Sequence, residues 1–341
     1  MIFIRADANK TIATGHMMRC MSIARGIQRT GQDVKFIVAD NDGGNLVVEN
    51  GFSYMVLQSQ WNDLEKEISY MKELIQKERP EWLLIDSYYV TEQYFNELRP
   101  LVKIAYIDDL NLFSYNCDML INYSIYAEDF LYKNFNTVFV LGSQYAPLRE
   151  EFSALSVKVI HDKVQDVLVL TGGADTYHFA INLANEVAHS KREEINNMRF
   201  HIVCGRYNQD EVLLKKITNE NKNIILYTYV NDLIRLMQNV DMAISAGGST
   251  LYELCACGTP TITYAFADNQ LKNVEKFHEK ELMYYSGDIR KNYQYDRLFE
   301  LIMEYEKNVE MRKKNSLRLQ QSVDGNGGKR IAEKFCDKKI K

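Results

Sequence analysis

Short apolar runs alternate along the chain with longer stretches whose apolar positions recur at helical spacing, the pattern of βα units around parallel sheets. A first series of runs predicts strands over 2–5, 34–39, 54–57, 82–86, 102–107, 119–122 and 138–141, with helices such as 16–29, 62–78 and 91–98 between them. The rhythm breaks over 142–163, a stretch that carries Pro147. It resumes with strands over 167–171, 200–204, 223–226, 242–245 and 261–263, and helices over 177–188, 209–220, 230–238, 250–257 and 269–279. The pattern predicts an α/β chain of two Rossmann-like domains facing each other across a cleft, assigned to 1–150 and 151–310. Residues 311–341 are polar and rich in helix formers, and are expected to form a helical tail of one or two exposed helices that can cross back to the first domain. Ligands of such sheets bind beyond the carboxyl ends of the strands, so the residues just after each strand carry the functional information.

Composition narrows the classes. The 341 residues are 46% hydrophobic and 26% charged, enough to bury two cores and unlike a disordered chain. A net charge of -5 argues against general nucleic-acid binding. No apolar run reaches the roughly 18–20 residues of a membrane span. Arg5 and Asp7 interrupt the place where an export signal needs its apolar segment. The six cysteines are scattered without a Cys-x-x-Cys pair, which predicts neither structural zinc nor a disulfide framework. The expectation is a cytoplasmic monomer that engages neither nucleic acid nor membrane and needs no cofactor or metal.

The second half carries the clearer ligand signal. The strand over 242–245 runs into Ala246-Gly247-Gly248-Ser249-Thr250 and then a helix. Paired glycines let backbone N–H groups approach an anion, and a helix N-terminus adds partial positive charge, which suits a diphosphate. Glu253 can accept both hydroxyls of a ribose, but Thr250-x-x-Glu253 is equally a capping box. A second glycine turn, Thr171-Gly172-Gly173-Ala174-Asp175, follows the first strand of this half.

In the first half, Arg5 and Asp7 end the first strand, and a loop leads through Gly15 to His16 and Arg19. A histidine opening a helix is held neutral by the dipole and can serve as a general base; the alternative is a helix cap. Arg5 and Asp7 can orient the ring or pair with Arg19. Asp86-Ser87-Tyr88 and Asp108-Asp109 fall at the same rim. There Tyr88 offers a hydroxyl to a substrate, and the carboxylates can cap loops or pair with Arg149. Asp268-Asn269-Gln270 follows a strand of the second half, and the amides of Asn269 and Gln270 suit sugar hydroxyls or an N-acetyl group.

Taken in order, Arg5-x-Asp7, Gly15-His16-x-x-Arg19-Cys20, Asp86-Ser87-Tyr88, Ile107-Asp108-Asp109-Leu110, Tyr145-Ala146-Pro147-Leu148-Arg149, Thr171-Gly172-Gly173-Ala174-Asp175, Ser245-Ala246-Gly247-Gly248-Ser249-Thr250-x-x-Glu253 and Asn269-Gln270 form a recognisable set. The chain resembles, over residues 1 to about 280, the UDP-sugar hydrolases of pseudaminic acid biosynthesis. The resemblance implies a GT-B fold related to the peptidoglycan N-acetylglucosaminyl transferase. It implies metal-independent, inverting hydrolysis of UDP-2,4-diacetamido-2,4,6-trideoxy-β-L-altropyranose to UDP and free sugar. His16 would then activate water, and Arg5, Asp7, Gly15, Arg19, Tyr88, Asn269 and Gln270 would hold the sugar. Gly172, Gly173, Gly247, Gly248, Ser249, Thr250 and Glu253 would hold UDP. The loop Thr11-Ile12-Ala13-Thr14-Gly15 is poorer in glycine than in the transferase relatives, which favours the hydrolase. A GT-B transferase moving the sugar to an acceptor is the alternative. A non-catalytic nucleotide-sugar binding protein is a further one, disfavoured by the presence of His16.

Overall fold

The computed structural model describes every residue except 10, 13, 134, 135, 206 and 338–341. The chain divides into two compact units: Met1–Glu150 with Gly325–Lys341, and Glu151–Asp324.

The first unit is built on seven parallel strands: β1 (Ile2–Ala6), β2 (Val34–Val38), β3 (Ser53–Val56), β4 (Trp82–Asp86), β5 (Lys103–Ile107), β6 (Met119–Asn122) and β7 (Val138–Leu141). Its helices from the N-terminal part are α1 (Gly15–Arg29), α2 (Gly44–Glu49), α3 (Ile68–Glu78) and α4 (Glu92–Leu98). The strand order is β3-β2-β1-β4-β5-β6-β7, so the winding direction reverses between β1 and β4. Both faces of the sheet are covered, which explains why β1 and β4 read as unbroken apolar runs rather than alternating ones. Ile2, Ile4, Leu84 and Ile121 pack with α1 residues on one face; Phe3, Leu83, Ile85 and Leu120 pack with α3 and α4 residues on the other.

The second unit has six parallel strands: β8 (Asp166–Leu170), β9 (Arg199–Val203), β10 (Ile224–Tyr227), β11 (Met242–Ala246), β12 (Thr261–Ala265) and β13 (Tyr284–Asp288). Their order is β10-β9-β8-β11-β12-β13, and the switch falls between β8 and β11. The accompanying helices are α5 (Phe179–Ala188), α6 (Glu193–Asn196), α7 (Glu211–Glu220), α8 (Leu233–Asn239), α9 (Thr250–Cys257), α10 (Asp268–Glu279), α11 (Tyr295–Lys307) and α12 (Val309–Ser322).

Three elements differ from the sequence expectation. The stretch 62–78 is not one helix: a 3-10 turn over Leu64–Glu67 precedes α3, and the carboxylate of Glu67 is buried against Arg5. Strand β13 was not expected, because Tyr-Tyr-Ser-Gly-Asp lacks an apolar run; it forms an edge, with Gly287 at φ +133° and a register shift against β12. The chain end does cross back to the first unit, but it is not exposed there. α12 stays with the second unit, whereas α13 (Gly327–Phe335) belongs to the first. Ile331, Ala332 and Phe335 of α13 are buried with the α1 side of that core, a stripe of three apolar residues among lysines. Contact is close: a Cβ on Gly26 of α1 would lie 2.9 Å from Ala332 Cβ. Among the described residues, no helix is long and apolar enough to cross a membrane.

Candidate functional site

In the first unit the chemistry collects at the switch point. β1 and β4 pair in register with Ala6 opposite Asp86, so the loop that follows β1 and the last residue of β4 share one rim. The loop leads to Gly15, the first residue of α1, and His16 occupies the first turn of that helix. Thr14 stands at the N-cap without a side-chain cap bond, and Ala13, in the same loop, lies outside the described residues.

His16 Nδ1 lies 2.6 Å from Asp86 Oδ1. Burial alone would raise the Asp86 carboxyl, but the charge of Arg19 and the hydrogen bonds from Arg19 and His16 outweigh it and hold that carboxyl well below the usual carboxylate range. An ionised carboxylate only accepts, so the proton of this contact sits on Nδ1 and the lone pair on Nε2. That is the tautomer a general base needs, oriented by a buried anion. His16 Nδ1 meets the Asp86 carboxylate of β4 and, at 3.2 Å, Arg19 Nη2 of its own helix, both side-chain groups, so helix capping does not describe it.

Arg19, one turn further along α1, donates Nε to Asp86 Oδ2 and Nη2 to Asp86 Oδ1, both at 2.6 Å. Its Nη1 reaches Asp109 Oδ2 at 3.0 Å and the Tyr123 hydroxyl at 2.8 Å. A guanidinium so engaged is a positioning group, and the expectation that Arg19 touches the sugar gives way to that role. Cys20 adds its thiol to Asp86 Oδ2 at 3.4 Å. Tyr88 donates its hydroxyl to Asp109 Oδ2 at 2.7 Å and sets its ring edge-on to His16, centroids 4.8 Å apart. Burial and Asp109 push the Tyr88 hydroxyl up, so it remains a donor.

Arg5 and Asp7 are not at this rim as sugar ligands. Arg5 is fully buried, bonded through Nη1 to Asp7 Oδ2 at 2.5 Å and through Nε to Glu67 Oε1 at 2.7 Å. Asp7 also accepts the Ala39 N–H at 2.8 Å. The pair therefore ties β1 to the end of β2 and to the 3-10 turn before α3. A side chain this deep between charged partners cannot reach a ligand without leaving them unpaired.

In the second unit the glycine turns after β8 and β11 fall on either side of its switch point. No neighbour lies within 4 Å of where a Cβ would stand on Gly172, Gly173 or Gly248, so the space over these backbones is open. Gly172 has φ +80°. Gly247 differs: a Cβ there would come 2.5 Å from Val274 Cγ1 of α10. Asn273 of α10 secures the turn by donating to the Gly247 carbonyl at 3.1 Å, and accepts from Tyr252 at 2.9 Å. Ser249 is the N-cap of α9, with no side-chain cap bond, and Thr250 is already helical. Glu253 is then the fourth helical residue, one position beyond the place of the acid in a box capped by Ser249.

Asn269 is exposed in the first turn of α10. Gln270 is buried, and its Oε1 accepts the Phe266 N–H at 3.1 Å; this amide shapes the turn instead of facing a sugar. Asp175 caps α5 by accepting from the N–H groups of Phe179 and Ala180, each at 2.9 Å.

Sequence reasoning left the roles of Asp86 and Asp109 open, and missed Glu67 and Gly205. The signal for Asp86 was an acidic residue closing an otherwise apolar strand. Gly205, just past β9, is required because a Cβ there would lie 2.2 Å from the Gly172 carbonyl oxygen.

Residues 167–331 match the glycosyltransferase family 28 C-terminal domain. An uncharacterized protein of Methanocaldococcus jannaschii is 25% identical over 300 residues, which are 81% of this chain and 59% of that one. The UDP-N-acetylglucosamine–N-acetylmuramyl-(pentapeptide) pyrophosphoryl-undecaprenol N-acetylglucosamine transferase of Helicobacter acinonychis is 37% identical over 121 residues, covering 33% of this chain and 34% of the transferase. The chain thus matches well under two thirds of the length of either relative. Among solved structures, MurG of Acinetobacter baumannii superposes with a TM-score of 0.73 at 12% identity, over 98% of this chain and 99% of that one. The two parallel-sheet α/β domains therefore have the fold of GT-B glycosyltransferases such as MurG.

Proposed function

We propose that this chain transfers a glycosyl group from a UDP-sugar to an acceptor hydroxyl, with His16 as the base. The observation that carries the reading is the open pair of glycine turns at the switch of the second unit, inside the stretch that matches the family 28 C-terminal domain. Backbone N–H groups at Gly172, Gly173, Gly247 and Gly248, with Ser249 and Thr250 at the start of α9, suit a diphosphate. They would also stabilise the charge that UDP gains on leaving. Glu253 suits the ribose hydroxyls. The first unit supplies His16, whose free Nε2 takes the proton of the attacking hydroxyl as the anomeric bond to UDP breaks. A single displacement of this kind inverts the anomeric centre.

A second reading makes water the acceptor and the enzyme a UDP-sugar hydrolase, with UDP-2,4-diacetamido-2,4,6-trideoxy-β-L-altropyranose as substrate. It is favoured by the ordered motifs of the first unit, none of which lies in the stretch matched by the transferase domain. The His16–Asp86 pair would serve water as well as a sugar hydroxyl.

UDP release from the diacetamido nucleotide sugar, measured with chelator and no acceptor, separates the two. Tight UDP binding with little release until a hydroxyl acceptor is added is the result expected of the transferase. Rapid release with an equal amount of free sugar would replace it with the hydrolase. Failure to bind UDP at all would sink both.

The two glycines of the turn after β11 make a paired prediction. Gly247→Ala overpacks against Val274 and is expected to cost about 1–3 kcal/mol in urea unfolding. Gly248→Ala adds a methyl to open space; it is expected to leave stability within about 0.5 kcal/mol but weaken UDP binding. Equal UDP affinity in Gly248→Ala and the parent would remove this turn from the nucleotide site.

A further inference from the structure

We propose that Trp61 and Tyr89 form a carbohydrate subsite beside His16, a platform for the apolar face of a pyranose ring. The inference rests on the glycosyl-transfer reading and adds where the first unit would hold sugar.

Trp61 sits at the tip of a tight turn closed by the Gln60–Asp63 bridge, between polar neighbours. An aromatic side chain at a turn tip gains little from core burial, and Trp61 belongs to neither of the clusters that pack the two faces of the sheet. Its ring meets that of Tyr89 edge to face, centroids 5.2 Å apart and planes at 87°. Tyr89 is 43% exposed. An edge-to-face contact leaves at least one face of each ring outside it. Tyr89 follows Tyr88, which contacts His16, so one ring of the platform is next in sequence to a residue that touches the base.

Both rings are held in place before any ligand arrives. The Ser59 N–H bonds the Ala39 carbonyl at 3.0 Å, and Ser59 Oγ donates to Glu67 Oε2 at 2.7 Å. Glu67 in turn is fixed by Arg5 and by the Tyr94 hydroxyl at 2.9 Å. On the other side the Tyr89 N–H donates to Ser87 Oγ at 3.2 Å. The Arg5-x-Asp7 motif therefore acts on sugar at one remove, by anchoring the turn that presents Trp61. A preorganised, partly exposed aromatic pair loses little conformational freedom on binding, and a pyranose ring offers it C–H groups on one face and hydroxyls at the rim.

Intrinsic fluorescence reads this directly. The chain has two tryptophans, and Trp82 is buried at 1% exposure, so a ligand-dependent change in emission reports Trp61. Titration with the methyl glycoside of 2-acetamido-2-deoxyglucose is expected to give a saturable change, absent in Trp61→Ala and much weaker in Tyr89→Ala. In steady state, Trp61→Ala should raise a sugar KM about tenfold with kcat changed less, and Trp61→Phe should recover most of the loss. A rise in the nucleotide-sugar KM places the transferred sugar on the platform, and a rise in the acceptor KM places the acceptor there. No emission change in the parent, with unaltered KM values in both alanine variants, overturns the proposal. UDP binding by equilibrium dialysis keeps the two claims apart, because it fails only if the glycosyl-transfer reading itself is wrong.

Discussion

Turnover of a UDP-sugar is expected to fall by roughly two or more orders of magnitude in His16→Ala, with UDP binding unchanged. The reasoning is geometric. Nε2 of His16 is the atom left with a lone pair once Nδ1–H is committed to Asp86, and the described neighbours of the ring are groups that hold it rather than replace it. Asp86→Asn tests the orienting half of the pair. An amide can present its N–H to Nδ1 and stabilise the wrong tautomer, so turnover should drop about as steeply although the ring stays in place. Both losses should appear in kcat rather than in nucleotide affinity, because the glycine turns proposed for the diphosphate belong to the other unit. Near-normal turnover in His16→Ala would remove this histidine from the mechanism.

The largest effect on stability is expected from Arg5→Met, at about 3–5 kcal/mol in urea unfolding. Arg5 is fully buried between Asp7 and Glu67, whose side chains are 8% and 0% exposed. Removing the cation leaves two carboxylates in a closed interior, with the Tyr94 and Ser59 hydroxyls and the Ala39 N–H as remaining donors. Burial by itself would lower the affinity of Arg5 for its proton, yet the two carboxylates raise it well above the ordinary value, which marks the trio as one charge-balanced unit. Arg5→Lys should recover only part of the loss, since an ammonium cannot reproduce the forked contact with Glu67. A cost under about 1 kcal/mol would show that the trio is not what anchors the Trp61 turn.

Much of this architecture was legible before folding was considered. Strands buried on both faces must read as short apolar runs, and glycine pairs at their ends mark places where backbone is meant to meet a ligand or another backbone. His16 was identifiable because its place at a helix start after the first strand already restricts what an imidazole can do there. Glu253 was ambiguous because a capping box and a ribose ligand share one spacing. The helix start at Thr250 places Glu253 one position past the acid of a box capped by Ser249, and the ribose role stays a proposal.

What the linear order of residues determined by itself was local: which segments are strands or helices, where the turns carry glycine, and that the chain alternates in the way of two doubly wound sheets. The pairing of distant residues was decided by tertiary structure. His16 and Asp86 are 70 positions apart, and they meet because β1 and β4 are neighbours at the point where the winding reverses. Arg5 and Glu67 are 62 apart, and their contact turned an expected sugar ligand into an anchor. α13 joins α1 from the far end of the chain, through three apolar residues too few to announce a core helix. Helix and strand periodicity arise from the backbone's own geometry within a few residues, whereas a buried charge must find its partner in whatever segment the strand order brings alongside it.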